Sequence, residues 1–215
     1  MSFSEIVRMV KSNTFLSEAL ESSKIMHTKV LEMIEDSWKA VETGDKKLAD
    51  GVIGRDDEID NLDRKIRTNV LNYLSSMPKG GNVALSLILI DISTYLERTA
   101  DHAVWIAEAA RRSPHLSEGP YKKKLLQLKG LVVKVGNGAK VAFKESDPEK
   151  AKAVLQDVET SKRLFFEIVD ALREDKKIST SQAIYKWTIA QELRRMTQYA
   201  KNIALNVLEP YPDAK

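Results

Sequence analysis

No cysteine occurs among the 215 residues, so disulfides, thiolate metal sites and cysteine nucleophiles are excluded at once. Proline and glycine are scarce, at six and nine, and β-branched runs are few, which argues against a sheet. A net charge of +3, without a basic block or an interleaving of aromatic and basic residues, gives no reason to invoke nucleic acid. Long apolar runs are missing too. The longest, Val83 to Ile92, is interrupted by Ser86 and Asp91 and falls far short of the ~20 residues that span a bilayer. The N-terminus lacks the apolar core of a signal peptide, so the expected location is the cytoplasm. What remains is 43% hydrophobic and 30% charged residues, the balance of a charge-rich helical protein. The chain is long enough to bury a large core as one domain or as two small ones.

Helical periodicity runs through most of the chain. From Ser2 to about Thr43, with a bend near Ser12-Asn13, Leu16, Leu20, Met26, Val30, Ile34, Trp38 and Val41 keep to one face. Gly44 closes this helix and Asp45 caps the next. That second helix is predicted to run unbroken to about Ser76, through Gly51 and Gly54, each of which costs about 1 kcal/mol relative to alanine. Pro78, Gly80 and Gly81 end it. A third helix covers Asn82 to Arg112, and Ser113 to Pro120 reads as a polar linker. The fourth helix spans Tyr121 to Glu145. Asp147 and Pro148 start the fifth, which ends near Glu174, and the Ser179-Thr180-Ser181 cluster starts the sixth, which ends near Leu208. Six helices, most near 30 residues and so about 45 Å long, predict an all-α protein of long bundles.

Within the third helix, Leu96, Ala100, Ala103, Ile106 and Ala110 form a stripe of small and apolar residues. Glu97 and Asp101 stand one turn apart and project from one side. Like charges at that spacing repel, so a cation is expected against them: an Arg, a Lys or a metal ion. Asp56 and Asp60 repeat the spacing on the helix before, beside Asp57 and Glu58. Two such pairs facing each other would make an oxygen-rich site for a hard cation. The plainer reading is a solvated or salt-bridged acidic face, with Arg98, Arg64 and Arg67 as partners. His102 either ligates a metal or packs at a helix interface and bonds a neighbour. His27 and His115 have no acidic constellation around them. Trp38, Trp105 and Trp187 read as core or dimer-interface residues.

The two halves resemble one another. Residues 44–62, GDKKLADGVIGRDDEIDNL, align with 146–164, SDPEKAKAVLQDVETSKRL. Residues 95–108, YLERTADHAVWIAE, align with 192–205, ELRRMTQYAKNIAL. A duplication of a three-helix unit follows, with the first repeat at 1–113 and the second at 114–215.

The stretch LADGVIGRDDEIDNL, followed by LERTADHAVWIAE, resembles the PhoU family of phosphate-uptake regulators, whose signature is E/D-x-x-x-D on two helices of each repeat. The likeness runs over nearly the whole chain in order and length. It implies two tandem three-helix bundles, often dimeric. It also implies iron or zinc clusters at the acidic motifs, and control of phosphate import through contacts with a phosphate transporter and a sensor histidine kinase. Carried over residue by residue, the metal ligands are Asp56, Asp57, Asp60, Glu97 and Asp101, with His102, Arg98 and Arg64 in support. The second repeat departs from the pattern. Arg194 and Gln198 stand for Glu97 and Asp101, and Val158 and Lys162 stand for Asp56 and Asp60, while Glu159 matches Asp57. No second metal site is expected, and Arg194, Arg195 and Lys162 are left to meet carboxylates or phosphate.

Catalysis has no support. There is no Glu-x-x-His pair of the di-iron kind, no glycine-rich phosphate loop and no nucleophile elbow. Two readings of different class remain: a PhoU-like regulator with metal at the first repeat, and a metal-free helical adaptor. A third keeps the fold but serves another transporter or metal handling.

Overall fold

Five of the seven described helices begin where a short polar side chain captures a free backbone N–H. In the computed structural model, which describes residues 13–76, 82–113 and 115–209, Asn13 Oδ1 accepts from Leu16 N–H and starts α1, Thr14–Thr43. Asp45 starts α2, Lys46–Ile53, by accepting from Lys47 and Leu48 N–H. Helix α3 spans Asp56–Ser76. Asn82 caps α4, Val83–Arg112. Helix α5, Pro120–Glu145, opens on proline, and α6, Pro148–Glu174, on Asp147 followed by Pro148. Ser179 caps α7, Thr180–Leu208. Each cap occupies one of the N–H groups that a helix start leaves unpaired, an effect worth about 1 kcal/mol. Residues 2–12 of the expected first helix, and the break at Pro78, Gly80 and Gly81, lie outside the described residues, while Asn13, where a bend is expected, is extended and caps α1.

One predicted helix is broken. The rod expected from Asp45 to Ser76 stops at Gly54 and restarts at Asp56. Arg55 pins the joint from outside, its guanidinium donating to Asp36 on α1 at 2.6 Å and to the Gly51 carbonyl at 3.3 Å. Three consecutive acids, Asp56, Asp57 and Glu58, then sit in the first turn of α3, where the positive end of the helix dipole favours them. The glycines weaken the helix there, and the acids make a second start favourable.

Packing follows the chain order. Helices α1, α3 and α4 pack together with α2 bridging α1 and α4, and α5, α6 and α7 form a second trio. The halves meet chiefly through α4 against α7, with a smaller contact between α1 and α5. The small-residue stripe of α4 is buried as predicted: Ala100, Ala103, Ala107 and Ala110 are at most 3% exposed. Across the seam Tyr199 stacks on both Tyr95 and His102, with ring centroids 6.2 and 5.5 Å apart. His102 Nδ1 also lies 2.5 Å from Glu192 Oε2. The alignment of the halves equates Tyr95 with Glu192 and His102 with Tyr199. The two contacts are therefore each other's counterparts across an antiparallel crossing.

The segment after α4 is tied down rather than free. Leu116 is buried, and its N–H donates to the Val41 carbonyl at 2.9 Å. Gly44, with φ of 68°, lets this segment pass close, since a Cβ there would meet His115 Cβ at 3.3 Å. Trp38 belongs to the core, whereas Trp105 and Trp187 do not, at 59% and 45% exposure. No helix among the described residues is long and apolar enough to cross a membrane.

Candidate functional site

The acidic residues of α3 lie along one stripe, because Asp56, Asp60 and Asp63 recur every three or four residues. Arg67 docks this stripe onto α4: its Nε donates to Asp63 at 2.6 Å and its Nη2 to Thr94 Oγ1 at 2.8 Å. Asp56 lies close enough to Asp101, and Glu97 close enough to Asp60 and Asp63, for their charges to act on one another. Structure thus brings Asp56, Asp60, Glu97 and Asp101 to a single acidic face shared by two helices. Asp57 adds its charge to Asp56 along the same helix.

Partial burial pushes the Asp56 carboxyl above its ordinary range, and the charges of Asp101, Asp60 and Asp57 add to the push. Glu97 is raised in the same way, first by burial and then by Asp101. Arg98 opposes this, reaching Glu97 and Asp101 at 3.4 Å each, but its side chain is 55% exposed. An exposed cation at that distance is worth little against desolvated carboxylates, about 0–1 kcal/mol. The face therefore keeps a surplus of negative charge. One acidic oxygen is also left alone: Asp63 Oδ1 is buried without a hydrogen-bond partner among the described residues. Asp63 was absent from the sequence reading, although its place at i+7 from Asp56 carries the same stripe signal.

Of the supporting residues, only Arg98 touches the acidic face. Arg64 donates to Asn61 at 2.9 Å. His102 faces the other half, on Glu192 and Tyr199, and so serves the helix interface rather than the acidic face. No cluster of three or more ligating side chains already poised around one point occurs among the described residues.

The same positions in the second half carry different chemistry. Val158, where Asp56 stands in the first half, is buried in the core. Phe165 takes the place of Asp63, and the Arg194 guanidinium lies 5.1 Å over its ring. Ser161 and Thr197 close the crossing with a buried hydroxyl pair at 3.0 Å. Arg194 is thus engaged with an aromatic face rather than left for carboxylates or phosphate.

The family model for the PhoU domain matches residues 24–110 and again 125–207. The chain belongs to the PhoU family. Among curated relatives, the phosphate-specific transport system accessory protein PhoU homolog 1 of Thermotoga maritima is 30% identical, with 83% of this chain and 79% of that protein aligned. The PhoU homolog of Clostridium acetobutylicum is 27% identical over 70% of this chain and 75% of its own length. The crystal structure of PhoU from Pseudomonas aeruginosa superposes with a TM-score of 0.80, at 24% identity, over 91% of this chain and 96% of that one. The phosphate transport system regulatory protein PhoU from Streptococcus pneumoniae superposes at 0.79, with 21% identity and 89% and 92% covered. The all-α PhoU fold, with its paired domain segments, is the fold of this chain.

Proposed function

We propose that this chain is a regulator of phosphate transport that works by protein contact and binds a cation on the acidic face of its first half. The regulatory role is supported by relatives named as accessory proteins of the phosphate-specific transport system. The observation that carries the cation is the surplus charge between α3 and α4. Asp56 and Glu97 are raised first by burial and then by neighbouring carboxylates, and an unpartnered Asp63 oxygen lies in the same stripe. An all-oxygen donor set suits a hard or borderline divalent or trivalent ion, with iron or zinc the choice the family resemblance adds. Asp56, Asp60, Glu97 and Asp101 would hold it, with Asp63 and Asp57 within the same acidic patch. A bound cation there supplies charge neutralisation, which fastens α3 to α4.

Contact with a partner has its own support. Trp105, Trp187 and Ile184 are exposed at 59%, 45% and 59%, with Trp105 of α4 and Ile184 of α7 lining one open depression, and large exposed aromatics mark docking surfaces. A transporter component, a sensor kinase or a second copy of the chain would meet this face. Nothing in the site calls for catalysis, and the protein is read as a non-enzyme.

A second reading, the metal-free adaptor, is favoured by Arg98, which already bridges Glu97 and Asp101. Elemental analysis of untagged protein purified without chelators separates the two, run beside the double variant Glu97→Gln/Asp101→Asn. Near-stoichiometric transition metal that disappears in the variant supports the cation reading. Metal-free protein in both cases leaves the adaptor, or a paralogue serving another transporter. The regulatory role is tested in the host cell: deletion should switch on phosphate-starvation genes in phosphate-rich medium, and unchanged expression would refute it.

A further inference from the structure

Where the two halves meet, α1, α4, α5 and α7 leave a partly open cavity of about 370 Å³, within the range of small-molecule sites, roughly 300–1,000 Å³. Its walls are mainly apolar, from Leu20, Ile92, Leu96, Phe143 and Ile203. Its cations are Lys24, Lys140 and Lys144. Lys24 reaches Glu21 at 2.9 Å, an exposed pair, while Lys140 and Lys144 have no ion-pair partner among the described residues. Cations without counter-ions beside an apolar wall describe a site with a hydrophobic body and an anionic end.

His27 sharpens that description. It lines the cavity and is only 7% exposed. Its Nε2 lies 3.2 Å from the Gly136 carbonyl, which can only accept, so Nε2 carries the proton and Nδ1 offers a lone pair. Nδ1 is buried without a partner among the described residues. Leaving such an atom unpaired costs about 1–3 kcal/mol, which a donor brought in with a ligand would recover. Burial lowers the imidazole to about 4, with the Lys140 charge contributing, so the ring is neutral near pH 7. Ser23 donates to the Leu20 carbonyl at 2.7 Å and keeps its oxygen free to accept.

We infer that this cavity binds an amphipathic anion: an alkyl chain lying against the apolar walls, with a phosphate or carboxylate head on Lys140, Lys144 and Lys24. A hydroxyl or water carried with the ligand donates to His27 Nδ1. The site is separate from the acidic face between α3 and α4 and does not depend on metal there.

Titration calorimetry on the full chain tests this with decyl phosphate, decanoate, decanol and inorganic phosphate, all below micelle-forming concentrations. At least one of the two alkyl anions should bind with one site per chain, and their ratio identifies the preferred head. Decanol, which lacks the charged head, should bind at least about tenfold more weakly, the loss expected for roughly one charge-assisted hydrogen bond. Inorganic phosphate, which lacks the chain, should bind at least about tenfold more weakly for want of the buried methylenes, at ~0.8 kcal/mol each. Lys140→Ala/Lys144→Ala should weaken the anion about tenfold or more with little change in melting temperature. Leu20→Trp should fill the cavity and remove binding, and the lysine variant keeps the test open if that protein does not fold. Three results would each overturn the inference: no saturable binding of either alkyl anion, affinity unchanged by loss of both lysines, or inorganic phosphate binding as tightly as decyl phosphate.

Discussion

Acidification should destabilise this protein through His27 by an amount that can be worked out in advance. The ring is buried and is lowered from 6.5 to about 4, chiefly by desolvation, with the Lys140 charge adding to the shift and the Gly136 hydrogen bond opposing it. The unfolded chain therefore binds the proton more tightly than the folded one. Stability from this residue is fully present above pH 6.5 and is lost as pH falls toward about 4. A difference of that size, at ~1.36 kcal/mol per unit, amounts to about 3 kcal/mol, a large fraction of the ~5–15 kcal/mol that holds a typical domain together. Other carboxylates titrate in the same window, so the informative quantity is a difference between two proteins. Urea unfolding followed by circular dichroism, at several pH values from neutral to about 4, should be run on the natural chain and on His27→Gln, which keeps an N–H for the Gly136 carbonyl. The natural chain should lose about 3 kcal/mol more than the variant across that window. Parallel pH curves for the two proteins would refute the reasoning, because they would mean that His27 takes up its proton without leaving the fold.

The acidic face should respond in the opposite sense. Asp56 and Glu97 are raised in the folded state, so their contribution to stability falls as pH rises from their unfolded values through the folded ones. In metal-free protein Asp101→Asn should then raise stability near neutral pH by about 0.5 kcal/mol, the scale of a like-charge pair one turn apart, and thermal melts would show it. A fall in metal-free melting temperature would contradict that account. Glycine substitutions in α5 should split by position. At Gly138 an added Cβ would meet Val154 Cγ2 at 2.8 Å, so Gly138→Ala should cost about 1 kcal/mol or more, whereas Gly130 has nothing within 4 Å and Gly130→Ala should gain up to about 1 kcal/mol. Asn82→Ala removes the cap of α4 and should lower stability by about 1 kcal/mol in denaturant titrations. Trp105→Ser should leave the melting temperature nearly unchanged, because the ring is 59% exposed, yet weaken capture of a transporter or kinase partner.

Most helix boundaries were legible because they rest on local chemistry. Asp45, Asn82, Asp147 and Ser179 each cap a helix by bonding N–H groups two or three residues ahead, and such bonds need no tertiary information, whereas at Asn13 the sequence pattern suggests a bend where the structure has a cap. The break at Gly54 was not legible from glycine content alone. It depends on Arg55 reaching Asp36 on another helix, and that contact exists only once α1 is in place. The acidic pairs were readable as helical spacing, and their mutual approach followed from the packing of α3 on α4. Asp63 was passed over because a motif of two carboxylates four apart stops at Asp60, although the stripe itself continues. His27 reads as ordinary in the sequence because, although it stands on the apolar line of its helix beside Met26, no acidic constellation surrounds it. The neighbour that orients it, Gly136, lies 109 residues away.

The two halves use equivalent positions for opposite purposes, and the energetics explain why one can carry a site while the other carries stability. Around α6 and α7, Val158 is buried, Arg194 covers Phe165 and a hydroxyl pair closes the crossing, so those positions hold the helices together. Around α3 and α4 the corresponding places hold Asp56, Glu97 and Asp63, two of them raised by burial and by like charges and the third with an unpartnered oxygen. Arg98 and Arg67 offset only part of that charge, so such a face contributes less to folding than its packed counterpart. The first half can tolerate that loss because the protein has one continuous core, running through α4 and α7, rather than two. Stability contributed by the second half is shared with the first across that seam. An acidic surface with a surplus of like charge can therefore persist on one side of the duplicated fold while its counterpart is packing.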